Sequence, residues 1–350
     1  MKNILSLDGG GVRTYFPLRI LNEIENRTDK SISDLFDYMT GVSAGSLITS
    51  LLLVKDVNGA QKYTTSHIIN IFTKECRNIF YYTYLGRCKN LWGLIGPKYT
   101  NENFSKVLLE YFRDGEKEMT LSSLRKPNCI ITYDINYSKP YFFNSLENPD
   151  ITVRDCILAS TAAPTYFYPY SFELNKDPNR HLFVDGGVVT NNPSEICFLK
   201  ALEQYGSEGI GQEHFMTLSL GTGYNPNTSN ITNSYFGLYS WSYNILDIIF
   251  SANSNSQSSE LSILNKILLR ENNKNKFHRI NIPIKDYIYL DDIYKFDLMC
   301  KIMDDWILKN ELEINRLCEK LLYNINHKNY FIVSNSLSNL NHREQDINQQ

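Results

Sequence analysis

The chain has 350 residues, a formal net charge of −3, and a composition that is 42% hydrophobic and 21% charged. Such a length buries a substantial core as one large domain or two small ones, and the balanced charge excludes a general nucleic-acid binder, which carries a strong basic excess. The seven cysteines are scattered without a CxxC pair, and no run reaches the roughly 18 to 20 apolar residues that span a bilayer. These features predict a reduced, cytoplasmic, soluble protein that meets membrane at most peripherally. Met1-Lys2-Asn3 runs straight into an apolar segment, so no secretory leader is expected.

In chain order, ILSL (4–7) reads as a short apolar strand, DGGGVR (8–13) as a glycine turn, and TYFPLRILNEIENR (14–27) as an amphipathic helix. YMTG then predicts a second strand, and Ser43 opens a helix through Val54. This βαβα start favours parallel strands joined by helices, hence an α/β fold with a mainly parallel central sheet. Further strands are predicted at 128–134, 140–143, 181–186, 214–220 and 278–282. Helices are predicted at about 60–75, 101–113, 152–161, 193–205, 256–271 and 292–323. The Asn/Ser-rich stretch 225–234 reads as an exposed loop, and residues 324–350 as a polar tail in which YFIV (330–333) can dock as a strand. One α/β domain with an embedded helical cap, over 1–323, accounts for the pattern better than two domains.

Two glycine clusters carry the chemistry. Gly41-Val42-Ser43-Ala44-Gly45 fits G-x-S-x-G between an apolar strand and an apolar helix. That motif sets a serine on a sharp strand-to-helix turn, with glycines where side chains would strike the crossing elements. A plain helix N-cap is an equally economical role for Ser43. Gly9-Gly10-Gly11 follows the first strand, and three consecutive glycines turn backbone N–H groups into one concavity that suits an anion. No Gly-Lys-Ser/Thr follows and the third glycine of G-x-G-x-x-G is missing, so the phosphate-loop readings fail and an oxyanion hole fits better. Arg13 offers charge support or a lipid-headgroup contact, or is a structural partner of Asp8 or Asp37.

A serine nucleophile needs a base. None of the six histidines stands in a catalytic setting, and only His278 is even remotely placed for one. Asp185, at the end of the apolar stretch LFV and before Gly186-Gly187, is the better candidate, although an Asx-turn aspartate is common before Gly-Gly.

DGGGVR, GVSAG and DGG, in that order, resemble the motifs of the patatin-like phospholipase family, acyl hydrolases with a serine–aspartate dyad. LIGPKYTNENFSKVLLEYF (94–112), SSLRKPNCIITYDINYSKPYFF (122–143), ILASTAAPTYFYPYSF (157–172) and LSLGTG (218–223) extend the similarity across about residues 3–223. The resemblance implies a three-layer α/β/α fold with a nucleophile elbow and a helical cap. It makes Ser43 the nucleophile and Asp185 the base, with Gly9, Gly10 and Gly11 as the oxyanion hole, Arg13 beside it, Gly41 and Gly45 as the elbow glycines, and no metal or cofactor. The family usually has glycine where this chain has Thr14, a β-branched residue that narrows the approach to the glycine loop. Asp8 reads as a structural anchor. The implied partner is a lipid substrate met by transient membrane-surface contact, with room for an activating ligand or protein and none for nucleic acid. The aromatic stretch 79–99 and WSYNILDIIF (241–250) read as inward-packing segments ahead of membrane contacts. An esterase, thioesterase or acyltransferase on non-membrane acyl groups, and a catalytically quiet lipid-binding effector, are the alternatives.

Overall fold

The computed structural model describes residues 1–81, 96–174, 180–206, 210, 214–225, 238–268 and 276–327. Its first half runs β1 (Lys2–Leu7), α1 (Tyr15–Thr28), α2 (Ile32–Leu35), β2 (Tyr38–Val42), α3 (Ala44–Leu53), α4 (Thr65–Ile79) and α5 (Asn101–Tyr111). A small hairpin, β3 (Arg113–Asp114) and β4 (Lys117–Glu118), leads to β5 (Asn128–Asp134), β6 (Lys139–Asn144) and α6 (Val153–Ser160). The second half comprises β7 (Phe183–Asp185), α7 (Ser194–Gly206), β8 (Phe215–Leu220), α8 (Leu238–Leu268), β9 (Phe277–Ile280), α9 (Phe296–Lys309) and α10 (Glu311–Asn326).

The main sheet has the order β6-β5-β2-β1-β8-β9, with β7 also on β5. The pairs β2–β5, β1–β2, β1–β8 and β8–β9 are parallel, and β6 and β7 join β5 antiparallel. Helices cover both faces, so the strands are apolar almost throughout, and the pleat sorts neighbouring residues between two cores. Leu5, Met39, Ile130 and Leu218 join the larger core with α1, α3 and α4. Ile4, Val42, Ile131 and Phe215 join a smaller one with Cys197, Ala201 and Tyr205 of α7. This is the expected α/β layering.

One detail of the sheet places the site. β6 pairs along β5 from Cys129 to Asp134 and so fills one edge of it. The other edge is shared: β2 takes Asn128–Ile131, and β7 takes Thr132–Asp134 from the opposite direction. The C-terminal ends of β2 and β7 therefore meet head to head in one lane, with Val42 opposite Ile131 and Asp185 opposite Thr132.

Several predicted elements change length. The helix expected at 256–271 begins at Leu238. Its Ser/Asn-rich middle, SANSNSQSS, is a poor helix former, but Asn253, Ser254, Gln257 and Ser258 hydrogen-bond neighbouring loops, and these tertiary bonds outweigh propensity. Leu246 and Phe250 of this helix are buried, as core residues should be. The helix expected at 292–323 is two helices meeting at Asn310, whose side chain turns back to bond the Trp306 carbonyl. The helix expected from residue 60 starts at Thr65, because the Thr64 side chain caps it by accepting from the His67 N–H. α10 reaches Asn326, where the Asn324 side chain donates to buried Asn3 of β1. Most of the 79–99 segment, the 225–234 loop apart from its first residue, and YFIV at 330–333 lie outside the described residues. Among the described residues no helix is long and apolar enough to cross a membrane, and every cysteine is a free thiol.

Candidate active site

Ser43 sits between β2 and α3 with φ +53° and ψ −132°, a backbone conformation that side-chain-bearing residues rarely adopt. Its neighbours must be glycine for steric reasons. A Cβ on Gly41 would stand 2.4 Å from the Gly45 carbonyl oxygen, and one on Gly45 would stand 2.6 Å from the Leu7 oxygen and 2.7 Å from the Asp8 oxygen. The elbow is thus pressed against both its own helix and β1. Ser43 makes no N-cap hydrogen bond with its side chain, which disposes of the capping role. Its N–H donates to Ser160 Oγ at 2.9 Å, and Ser160 Oγ donates in turn to the Ile131 carbonyl at 2.6 Å. The serine at the end of α6 therefore pins the turn to β5.

The freed Oγ of Ser43 donates to Asp185 Oδ2 at 2.6 Å. The other oxygen, Oδ1, accepts from the Gly187 N–H at 2.8 Å. The two readings of Asp185 hold together: one oxygen closes the Asx turn and the other faces the serine. Asp185 is fully buried. Burial pushes its pKa from the ordinary 3.8 up to about 7, partly opposed by the hydrogen bonds from Ser43 and Gly187. A carboxylate with that pKa can exchange a proton near neutral pH without a histidine.

The glycine loop lies directly over the serine, since a Cβ on Gly9 would fall 2.9 Å from Ser43 Cβ. The three glycines are not equivalent. The Gly9 N–H donates to the Asn191 carbonyl at 3.2 Å, so it is spent, a correction to the expectation of three donors. Among the described residues, the Gly10 and Gly11 N–H groups have no partner, and Gly11 lines the pocket beside Ser43. Arg13 is half-buried and not among the residues lining that pocket. Thr14 is fully buried and also absent from the lining, so the departure at this position does not narrow the approach.

Asp8 anchors the loop, but through a partner the sequence does not reveal. Arg279 of β9 grips it with both terminal nitrogens, at 2.7 and 2.5 Å, and Ser254 of α8 donates at 2.9 Å. Burial pushes the Asp8 pKa up and Arg279 pulls it back. Asn191 was equally hidden: besides taking the Gly9 N–H, it donates from Nδ2 to the Gly9 carbonyl at 3.3 Å. The only sequence signal for it is the polar run Thr190-Asn191-Asn192 just after the predicted base. His278 pairs in β9 at the far edge of the sheet, and His181 binds Asp134 at the outer end of the β7 lane. No histidine lines the pocket.

That pocket opens from Ser43 and Asp185 into an apolar wall. Leu47 of α3, Phe72, Cys76 and Ile79 of α4, and Phe104 of α5 form one side, with Tyr166, Phe167, Phe250 and Leu290 around the rest. α4 and α5 thus each supply part of the pocket wall. The site joins a strained serine, a buried carboxylate and an apolar channel.

Comparison with known proteins decides the family. The model described as Patatin-like phospholipase matches residues 5–198, more than half of the chain. The chain belongs to the patatin-like phospholipase family. Membership makes it a lipid acyl hydrolase at the level of class. Among curated relatives of this patatin-like chain, Patatin-like protein 4 of Arabidopsis thaliana is 29% identical over 319 residues, covering 83% of this chain and 78% of that one. Patatin group M-3 of Solanum tuberosum is 27% identical over 248 residues, covering 64% and 61%. Of solved structures, VipD from Legionella pneumophila aligns with a TM-score of 0.37 at 13% identity, covering 87% of this chain and 67% of that one.

Proposed function

We propose that residues 1–323 form one catalytic domain, a phospholipase A-type hydrolase working in the cytoplasm and meeting its lipid by transient contact with a membrane surface. Ser43 Oγ attacks the ester carbonyl carbon while its proton passes to Asp185 Oδ2. The N–H groups of Gly10 and Gly11 receive the oxyanion. Collapse of that intermediate breaks the ester C–O bond, and the leaving lysolipid alkoxide takes the proton from Asp185. Water then attacks the acyl-enzyme, gives its proton to Asp185, and the fatty acid departs as Ser43 recovers the proton.

The observation that carries this reading is the 2.6 Å bond from Ser43 to a buried carboxylate with pKa about 7 at the head of an apolar pocket. The apolar wall favours a long acyl chain over small or carrier-bound acyl groups. The test compares wild type with Ser43→Ala on mixed phospholipid micelles and on soluble short-chain esters, reading fatty acid by mass spectrometry. Release by wild type, with a loss of about a thousandfold or more in the variant, is expected. Equal release by both proteins sinks the assignment of Ser43. Turnover confined to soluble esters favours the esterase reading, and lipid binding without turnover favours the quiet effector.

A further inference from the structure

The Gly-Pro-Lys-Tyr segment is not among the residues lining the pocket, yet its lysine and tyrosine both reach one carboxylate. Asp291, with its side chain 13% exposed, accepts from Lys98 Nζ at 3.1 Å and from Tyr99 Oη at 2.8 Å. The backbone next to it meets the glycine loop. The Leu290 carbonyl accepts from the Val12 N–H at 2.8 Å, and a Cβ on Gly11, where φ is +54°, would fall 2.0 Å from that same oxygen. Leu290 also lines the pocket. On the other side, the Lys98 and Tyr99 N–H groups donate to the Thr165 and Tyr166 carbonyls at 2.9 and 2.8 Å. Lys98 Nζ lies 4.5 Å from the centre of the Tyr166 ring, itself part of the pocket wall.

From this geometry we propose that Asp291 is a positioning residue for the oxyanion loop, acting through the Leu290 carbonyl; this rests on the reading of Gly10 and Gly11 as oxyanion donors. The loop needs such a hold from outside. Gly11 has no side chain and a left-handed backbone, so little local structure fixes the direction of its N–H. Asp291 ties Leu290 to the 98–99 segment, which the pocket wall at 165–166 holds in turn. The Leu290 carbonyl then fixes Val12, and with it the peptide plane that follows Gly11. The 98–99 stretch meets this carboxylate, the pocket wall at 165–166 holds that stretch by its backbone, and the glycine loop rests on the adjoining Leu290 carbonyl, so the loop is the element they immobilise.

The test uses the full chain and reads two quantities in wild type, Asp291→Ala and Asp291→Asn. Hydrogen exchange by mass spectrometry follows the amides in peptides that contain Val12, and steady-state kinetics follows a soluble short-chain ester. In Asp291→Ala, exchange at Val12 should quicken about tenfold, and kcat should fall about tenfold or more with KM within about twofold. Asp291→Asn, which keeps an acceptor for Tyr99, should recover most of both. Unchanged exchange at Val12, quicker exchange with an unchanged kcat, or a loss confined to KM overturns the proposal. If Asp291→Ala does not fold, Lys98→Met and Tyr99→Phe remove the two partners singly, and wild-type exchange at Val12 in both has the same overturning force. A wild type that turns over no ester removes the reading beneath the proposal, while the exchange arm still decides whether Asp291 holds the loop.

Discussion

In the proposed mechanism, Asp185 is the residue on which the chemistry and the pH behaviour both turn. Its carboxylate must there be ionised to take the Ser43 proton. With a pKa of about 7, kcat/KM should therefore fall tenfold per unit below neutral pH and level off above it. The same shift has a stability consequence of opposite sign. The folded value lies above the ordinary 3.8, so the fold prefers the neutral acid. The favourable contribution is present in full below about pH 4 and is lost as pH rises through about 7. Asp185→Asn, which never ionises, should abolish turnover and melt above wild type by a margin that widens from pH 5 to pH 8, as scanning calorimetry will show. A margin that stays constant across that range would mean the buried carboxylate is not the titrating group.

At the scale of the element, the elbow is a contact between α3 and the end of β1 as much as a turn. Exchanging a helical glycine for alanine ordinarily gains about 1 kcal/mol of helix propensity. At Gly45 the new methyl would meet two backbone carbonyls, of Leu7 and Asp8, at 2.6 and 2.7 Å, and backbone has no rotamer with which to yield. Overpacking of this kind costs about 1–3 kcal/mol, so the steric term wins. Gly45→Ala should lower the urea midpoint and reduce turnover more than stability, because any shift of α3 displaces Ser43. Measuring both quantities on one preparation checks it. α8 shows the converse balance, with poor helix formers held helical by hydrogen bonds to the 186–192 loop and to Asp8.

Across the whole molecule, the Asp8–Arg279 pair joins the first strand to the last strand of the sheet, and Ser254 adds α8 to the same point. Asp8 is buried with its side chain 2% exposed, and removing its cation strands a carboxylate there. That typically costs about 3–5 kcal/mol. Arg279→Met should therefore be strongly destabilised at pH 8 and less so at pH 5, where an unpaired Asp8 can protonate. The double variant Asp8→Asn with Arg279→Met should regain much of the loss. Chemical denaturation of wild type, Arg279→Met and the double variant at both pH values tests this, and a double variant no better than Arg279→Met would show that the arginine contributes packing and not charge.

Local chemistry wrote much of this protein plainly. Alternating apolar strands and amphipathic helices declared the α/β layering, and the two glycines around Ser43 and the three before Val12 declared sharp turns. Asp185 before Gly-Gly announced a carboxylate at a strand end. These features were legible because each depends on neighbours a few residues away. What the sequence could not contain was the meeting of distant groups. The head-to-head approach of β2 and β7 on β5 brings Ser43 within 2.6 Å of Asp185, across 142 positions of chain. The grip of Arg279 on Asp8, the use of the Gly9 N–H by Asn191, and the reach of Asp291 to Lys98 and Tyr99 arise in the same way. None of these has a local period or spacing, because each is a polar group that leaves water wholly or in part on folding and takes its replacement partner from a distant stretch of chain. Local pattern determined which residues were competent for the chemistry, and tertiary packing decided which of them are poised to act.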